Sequence, residues 1–143
     1  MSVISYPYFQ PLHAPMPRPY AICIAVNTLN KKSAEFLGVL DSGADGLTLT
    51  ADLANNLGID LEELPEERIL GVHGIGGSKY CDFISVGLFD TARMRHYFPG
   101  GKAAVPAYFS ASSPSSLLGR RAFLDLSIVT FDGPKQIVHL DFK

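Results

Sequence analysis

Leu40-Asp41-Ser42-Gly43-Ala44 is the stretch on which the reading of this chain turns: an apolar run ending on a carboxylate, followed at once by a hydroxyl and a glycine. Glu35 to Leu40 has the apolar character of a strand, so Asp41 arrives at a strand end rather than on a helix face. A later apolar run also ends in glycine, at Leu117-Leu118-Gly119-Arg120. Between the two lies Gly71-Val72-His73-Gly74-Ile75-Gly76-Gly77-Ser78-Lys79, a glycine-dense turn with Arg68 to His73 and Lys79 to Phe89 as the arms of a hairpin.

Outward from these motifs, Ala21 to Val26 reads as a buried strand and Asn27 to Ser33 as the turn into the strand that delivers Asp41. Leu47 and Leu49 alternate with Thr48 and Thr50, and Thr50 is expected to cap a short helix over 51–57 that Gly58 ends. Leu61 to Glu67 reads as an acidic loop, and Asp90 to Lys102, with Arg93, Arg95 and His96, as a surface loop or insertion. Ala103 to Phe109 is a strand and Ser110 to Ser116 a polar turn. Arg120 to Leu126 is a short helix with Ala122, Phe123 and Leu126 inward. Two closing strands follow, Ser127 to Phe131 and Gln136 to Phe142. Residues 1–19 hold Pro7, Pro11, Pro15, Pro17 and Pro19, which predicts an extended N-terminal arm or a flexible lead ahead of a folded domain over 20–143. Many short strands with two short helices predict an all-β, barrel-like domain.

At 143 residues, with 47% apolar and 18% charged side chains, the chain fits one globular domain. Twelve basic against fourteen acidic residues give a net charge of -2 with no basic run, so nucleic acid is not an expected partner. Cys23 and Cys81 belong to no C-x-x-C pair and read as small buried thiols. No signal-type start and no long apolar window appear, so no membrane association is expected and a cytoplasmic location is the default. His13, His73, His96 and His139 form no H-E-x-x-H and no His-Cys cluster, so neither metal nor cofactor is expected. Asp41, Asp45, Gly46 and Asp52 imitate a calcium loop, but Gly43 brings no ligand at the third position and Asp52 stands where a bidentate Glu is required.

The ordered set of Asp41-Ser42-Gly43, the glycine hairpin and Leu117-Leu118-Gly119-Arg120 resembles the retropepsin family of aspartic proteases over residues 20–142. The resemblance implies a closed β-barrel domain with one or two short helices and a flap hairpin. It implies an aspartic endopeptidase, a peptide hydrolase that needs two carboxylates sharing one proton. A single Asp-Ser-Gly then requires a homodimer, with Asp41 catalytic from each subunit. Ser42 and Gly43 take the place of the residues that support the dyad. Gly43, Ala44, Asp45, His73, Gly74, Ile75 and Gly76 take the place of those that hold an extended peptide under the flap. An Asp45–Arg120 ion pair is implied as a structural lock. In the family the chain ends interleave in a shared sheet, to which Gln136 to Phe142 would contribute, and Tyr6-Pro7 is a bond of a kind its members cut. A catalytically silent, dimeric peptide-binding or assembly module on the same fold is the alternative, which turnover distinguishes.

Overall fold

The computed structural model describes residues 2–71 and 74–142. Its strands are β1 (Ser2–Pro7), β2 (Tyr20–Asn27), β3 (Ser33–Leu40), β4 (Leu47–Thr50), β5 (Glu66–Gly71), β6 (Gly74–Asp90), β7 (Arg95–Tyr97), β8 (Val105–Ser110), β9 (Ser116–Leu118), β10 (Ser127–Asp132) and β11 (Ile137–Phe142). One α-helix, α1 (Asp52–Asn56), follows β4.

Apolar residues at every second position drive the closure of the main sheet. Leu40, Leu47, Leu49, Ala107, Phe109 and Leu118 all turn inward and are buried, each large side chain worth roughly 1.5–3 kcal/mol when taken fully out of water. The strands run in the order β2-β3-β9-β4-β8-β6, and β6 pairs back to β2, so six strands form a closed barrel. The 17 residues of β6 serve four neighbours: β5 at the start, β8 in the middle, β2 toward the end and β7 at the end. A register shift between Cys81 and Ile84 bends it from one to the next.

A second, three-stranded sheet in the order β1-β11-β10 packs its Ile4, Tyr6, Val138, Leu140 and Phe142 into the same core. The segment expected as an arm therefore begins as a strand. Its alternation Val3-Ile4-Ser5-Tyr6 is a β pattern that the neighbouring prolines mask. Tyr6 is 2% exposed and its hydroxyl donates to the Phe89 carbonyl at 2.6 Å, which ties β1 to the barrel. Burial pushes that phenol far above its ordinary value. The Tyr6–Pro7 bond thus lies in a paired strand and not in a flexible lead. Residues beyond it double back, with Phe9 and Arg18 exchanging backbone hydrogen bonds at 3.0 and 2.9 Å.

Three local expectations are corrected. Arg120 to Leu126 is not an α-helix but a run of turns ending in a 3-10 turn at Leu124–Leu126, and Leu124 rather than Leu126 is buried. The chain must reverse within a few residues between β9 and β10, and the bond from Asp125 N–H to the Arg120 carbonyl, at 3.0 Å, closes that reversal. The 90–102 segment contains β7, which pairs with the end of β6. Asp90 makes this hairpin: its carboxylate accepts from Ala92 and Arg93 N–H at 3.1 and 3.2 Å and from Arg93 Nη1 at 2.8 Å. The Arg93 hydrogen bond holds the Asp90 carboxyl below its ordinary value, although burial opposes it. Finally, α1 starts from Ala51 with no side-chain cap, because Thr50 remains in β4.

Candidate active site

Strand β3 ends at Leu40 and leads straight into Asp41, whose N–H donates to the Leu118 carbonyl at 3.0 Å and so extends the parallel pairing of β3 with β9 by one residue. Ala44 N–H donates to the Asp41 carbonyl at 3.2 Å, closing a turn over Asp41-Ser42-Gly43. Inside it, Gly43 N–H donates to Asp41 Oδ1 at 2.9 Å and fixes the carboxylate. A Cβ on Gly43 would sit 3.2 Å from that oxygen, so glycine leaves the carboxylate the room it needs. Asp41 is half-buried, while Ser42 and Gly43 are exposed, placing the turn at the surface of the chain.

The segment 44–46 is clamped by 119–121. Gly119 N–H donates to Gly46 O at 2.9 Å, Arg120 N–H to Ala44 O at 3.0 Å and Arg121 N–H to Asp45 O at 2.9 Å. Glycine at 119 is required by this close approach, since its Cβ would meet Gly46 O at 2.4 Å and Ala44 O at 2.5 Å. Arg120 Nη2 donates to Asp45 Oδ1 at 2.6 Å, with the side chains 56% and 81% exposed. A pair so open to water adds little to stability, so it orients Asp45 rather than holding the fold.

The hairpin of β5 and β6 pairs Glu66 with Lys79 through Gly71 with Gly74. His73 lies outside the described residues, and so do the side-chain surroundings of Gly74, Ile75 and Gly76. The structure therefore brings Asp41, Ser42, Gly43, Ala44, Asp45 and Arg120 together around one turn.

One feature of the site escapes sequence reading. Val39, Leu117, Thr48, Tyr108 and Tyr80 are register partners in succession across β3, β9, β4, β8 and β6, and all five are half-buried on the face away from the core. Asp41 lies two residues beyond Val39 and so shares its face. The row ends in two tyrosine rings whose centroids are 5.2 Å apart. Burial, with the neighbouring Glu67 charge, pushes the Tyr108 phenol up. Only the strand register reveals the row, because its members are scattered from residue 39 to 117.

Among the described residues no group of His, Cys, Asp and Glu is placed to hold a metal ion. Likewise, no described helix is long and apolar enough to cross a membrane.

A retropepsin-like aspartic protease from Rickettsia conorii superposes on the chain with a TM-score of 0.66, covering 98% of this chain and 99% of that one at 16% identity. The chain has the retropepsin-like fold. EIAV protease complexed with the inhibitor HBY-793 matches with a TM-score of 0.50 and 23% identity, over 82% of this chain and 93% of that one. No family model matches the chain, and no curated protein matches it by sequence. Within the retropepsin-like fold observed here, the Asp41 turn and the Gly119-Arg120 segment meet through backbone hydrogen bonds, with Ser42, Gly43 and Arg120 exposed.

Proposed function

We propose that the chain is an aspartic endopeptidase of the retropepsin family, active as a homodimer in which each subunit supplies one Asp41. The observation that carries this reading is the surface turn in which Gly43 N–H fixes Asp41 Oδ1 and the Gly119-Arg120 segment clamps the residues that follow. One chain offers one such carboxylate, and hydrolysis without metal or covalent nucleophile needs an acid and a base together.

Two Asp41 carboxyls face to face cannot both ionise, so the pair holds one proton and titrates as a unit. The ionised member takes a proton from a water as its oxygen attacks the scissile carbonyl carbon. The protonated member gives its proton to the carbonyl oxygen, leaving a neutral gem-diol. Collapse breaks the C–N bond: the carboxyl that took the water's proton gives it to the leaving nitrogen, while the other carboxylate takes a proton from a gem-diol hydroxyl, so the dyad ends with one proton. Asp45, oriented by Arg120, presents its carboxylate beside the turn to the backbone N–H groups of an extended peptide. The row from Val39 to Tyr80 offers half-buried side chains on the face that Asp41 shares.

Cleavage of an unstructured peptide library at mildly acid pH by the wild type and Asp41→Asn tests the reading. Turnover that vanishes in Asp41→Asn supports it. No turnover from either protein, with peptide still bound, favours the silent binding module; turnover retained by Asp41→Asn rules out the dyad.

A further inference from the structure

The row of half-buried side chains on the Asp41 face changes character along its length. Val39 and Leu117, on the strands beside the Asp41 turn, are apolar. Thr48 follows, and the row ends in Tyr108 and Tyr80, whose rings are inclined at 50° with centroids 5.2 Å apart.

Strand β5 borders this far end. Glu67 pairs with Ser78, and Ser78 with Ser110, so Glu67 stands on the face of Tyr80 and Tyr108, one pleat along from them. Diagonal neighbours of this kind lie about 7–8 Å apart, within reach of a long side chain. Tyr80 N–H donates to the Pro65 carbonyl at 2.9 Å, which fixes the start of β5 beside the ring pair. Glu67 is exposed, and among the described residues it enters no ion pair. Glu66 and its register partner Lys79 stand on the opposite face. The nearby charges agree with this placement: burial and then Glu67 push the Tyr108 phenol up, and Arg121 opposes them.

Two electron-rich rings and an unpaired carboxylate suit a cation on a long apolar stem. A lysine or arginine side chain lays its methylenes on the rings and brings its charge to Glu67. An acidic side chain at the same place meets like charge.

We propose that Glu67, with Tyr80 and Tyr108, forms a specificity-determining corner that takes a lysine or arginine side chain of the substrate. The inference rests on the reading that Asp41 cleaves a peptide lying along this face, and it names the class of peptide: apolar beside the scissile bond and basic farther out. Tyr108 stands three strand spacings from Val39 and Tyr80 four, at most about 14 and 19 Å. Extended chain advances about 3.3 Å per residue, so the basic residue falls within about six residues of the bond. All three side chains belong to one chain, so a twofold site carries the corner twice. Basic residues are then favoured on both sides of the scissile bond.

A library of unstructured peptides carrying Lys, Arg, Ala or Glu in turn at each of about six positions on either side of the bond tests this. The wild type should cleave the Lys or Arg peptide about tenfold better than the Ala peptide, by kcat/KM, at one position on each side. Glu67→Gln should bring Lys and Glu peptides close to parity, and Glu67→Lys should invert the order. Each reading is a ratio within one protein, so a lower folded fraction cancels. A wild type indifferent to basic residues, or a basic preference that survives Glu67→Lys, overturns the corner and leaves the Asp41 dyad standing. A wild type that cuts no peptide overturns the endopeptidase reading instead. Fluorescence anisotropy with the same peptides then gives the preference as an affinity ratio, and Glu67→Lys inverts it where the corner is right and leaves it unchanged where it is wrong.

Discussion

Gly119→Ala is the sharpest test of the clamp on the Asp41 turn. The added methyl would stand 2.4 Å from Gly46 O and 2.5 Å from Ala44 O, both backbone atoms that no rotamer change can move. An ordinary carbon–oxygen contact is about 3.3 Å or more, so the segments must part by roughly 0.9 Å. That separation breaks or stretches the three backbone bonds of 2.9, 3.0 and 2.9 Å that join 44–46 to 119–121. With each bond worth about 1 kcal/mol net and strain adding about 1–3, the expected cost is about 4–6 kcal/mol. A domain of this size has a total stability of roughly 5–15 kcal/mol, so the loss is large but survivable. The melting temperature should fall by roughly 12–18 °C, with cleavage falling further than the folded fraction because Asp41 and Asp45 are displaced. Urea denaturation gives the free energy, with Gly133→Ala as the control, since nothing lies within 4 Å of a Cβ there. A Gly119→Ala protein within about 1 kcal/mol of wild type would refute the close approach on which the site's geometry depends.

Other perturbations probe different parts of the account. Tyr6→Phe removes the 2.6 Å bond to the Phe89 carbonyl and leaves that acceptor without its donor, so calorimetry should show a loss of about 1–3 kcal/mol and earlier exchange of β1 amides. Asp90 titrates below its ordinary value in the fold because of Arg93, so the stability it contributes is complete above about pH 3.9 and is lost as pH falls through the lower folded value. Asp90→Asn should therefore flatten the acid limb of a stability–pH curve in that window; an unchanged limb would contradict the role given to the 90–97 hairpin. Arg120→Ala should leave the melting temperature nearly unchanged, since the pair with Asp45 is open to solvent, while lowering kcat/KM for peptide cleavage.

The closed barrel was legible because its strands announce themselves locally: Leu40, Leu47 and Leu49 alternate with polar or small neighbours, and Asp132-Gly133-Pro134 marks the last hairpin. Asp41 and Arg120 stood out for the same reason, as polar residues at the ends of apolar runs. What stayed hidden depends on partners distant in sequence. β1 exists because Val138 and Leu140 lie beside Ile4 and Tyr6, and the prolines after Pro7 argued locally for an arm. Ala122 and Phe123 have helical spacing with Leu126, yet the need to reach β10 within a few residues imposes tight turns instead. The row from Val39 to Tyr80 needs four strand pairings before it can be drawn at all.

The central claim is that one catalytic site takes an Asp41 from each of two subunits, and subunit mixing measures it directly. Wild type is titrated with Asp41→Asn at fixed total concentration, after dissociation and reassembly, and initial cleavage rates are recorded. Random pairing leaves roughly a quarter of the sites intact at equal amounts, so activity should follow the square of the wild-type fraction. A linear decline to one half would mean that each subunit works alone, and would contradict the shared dyad.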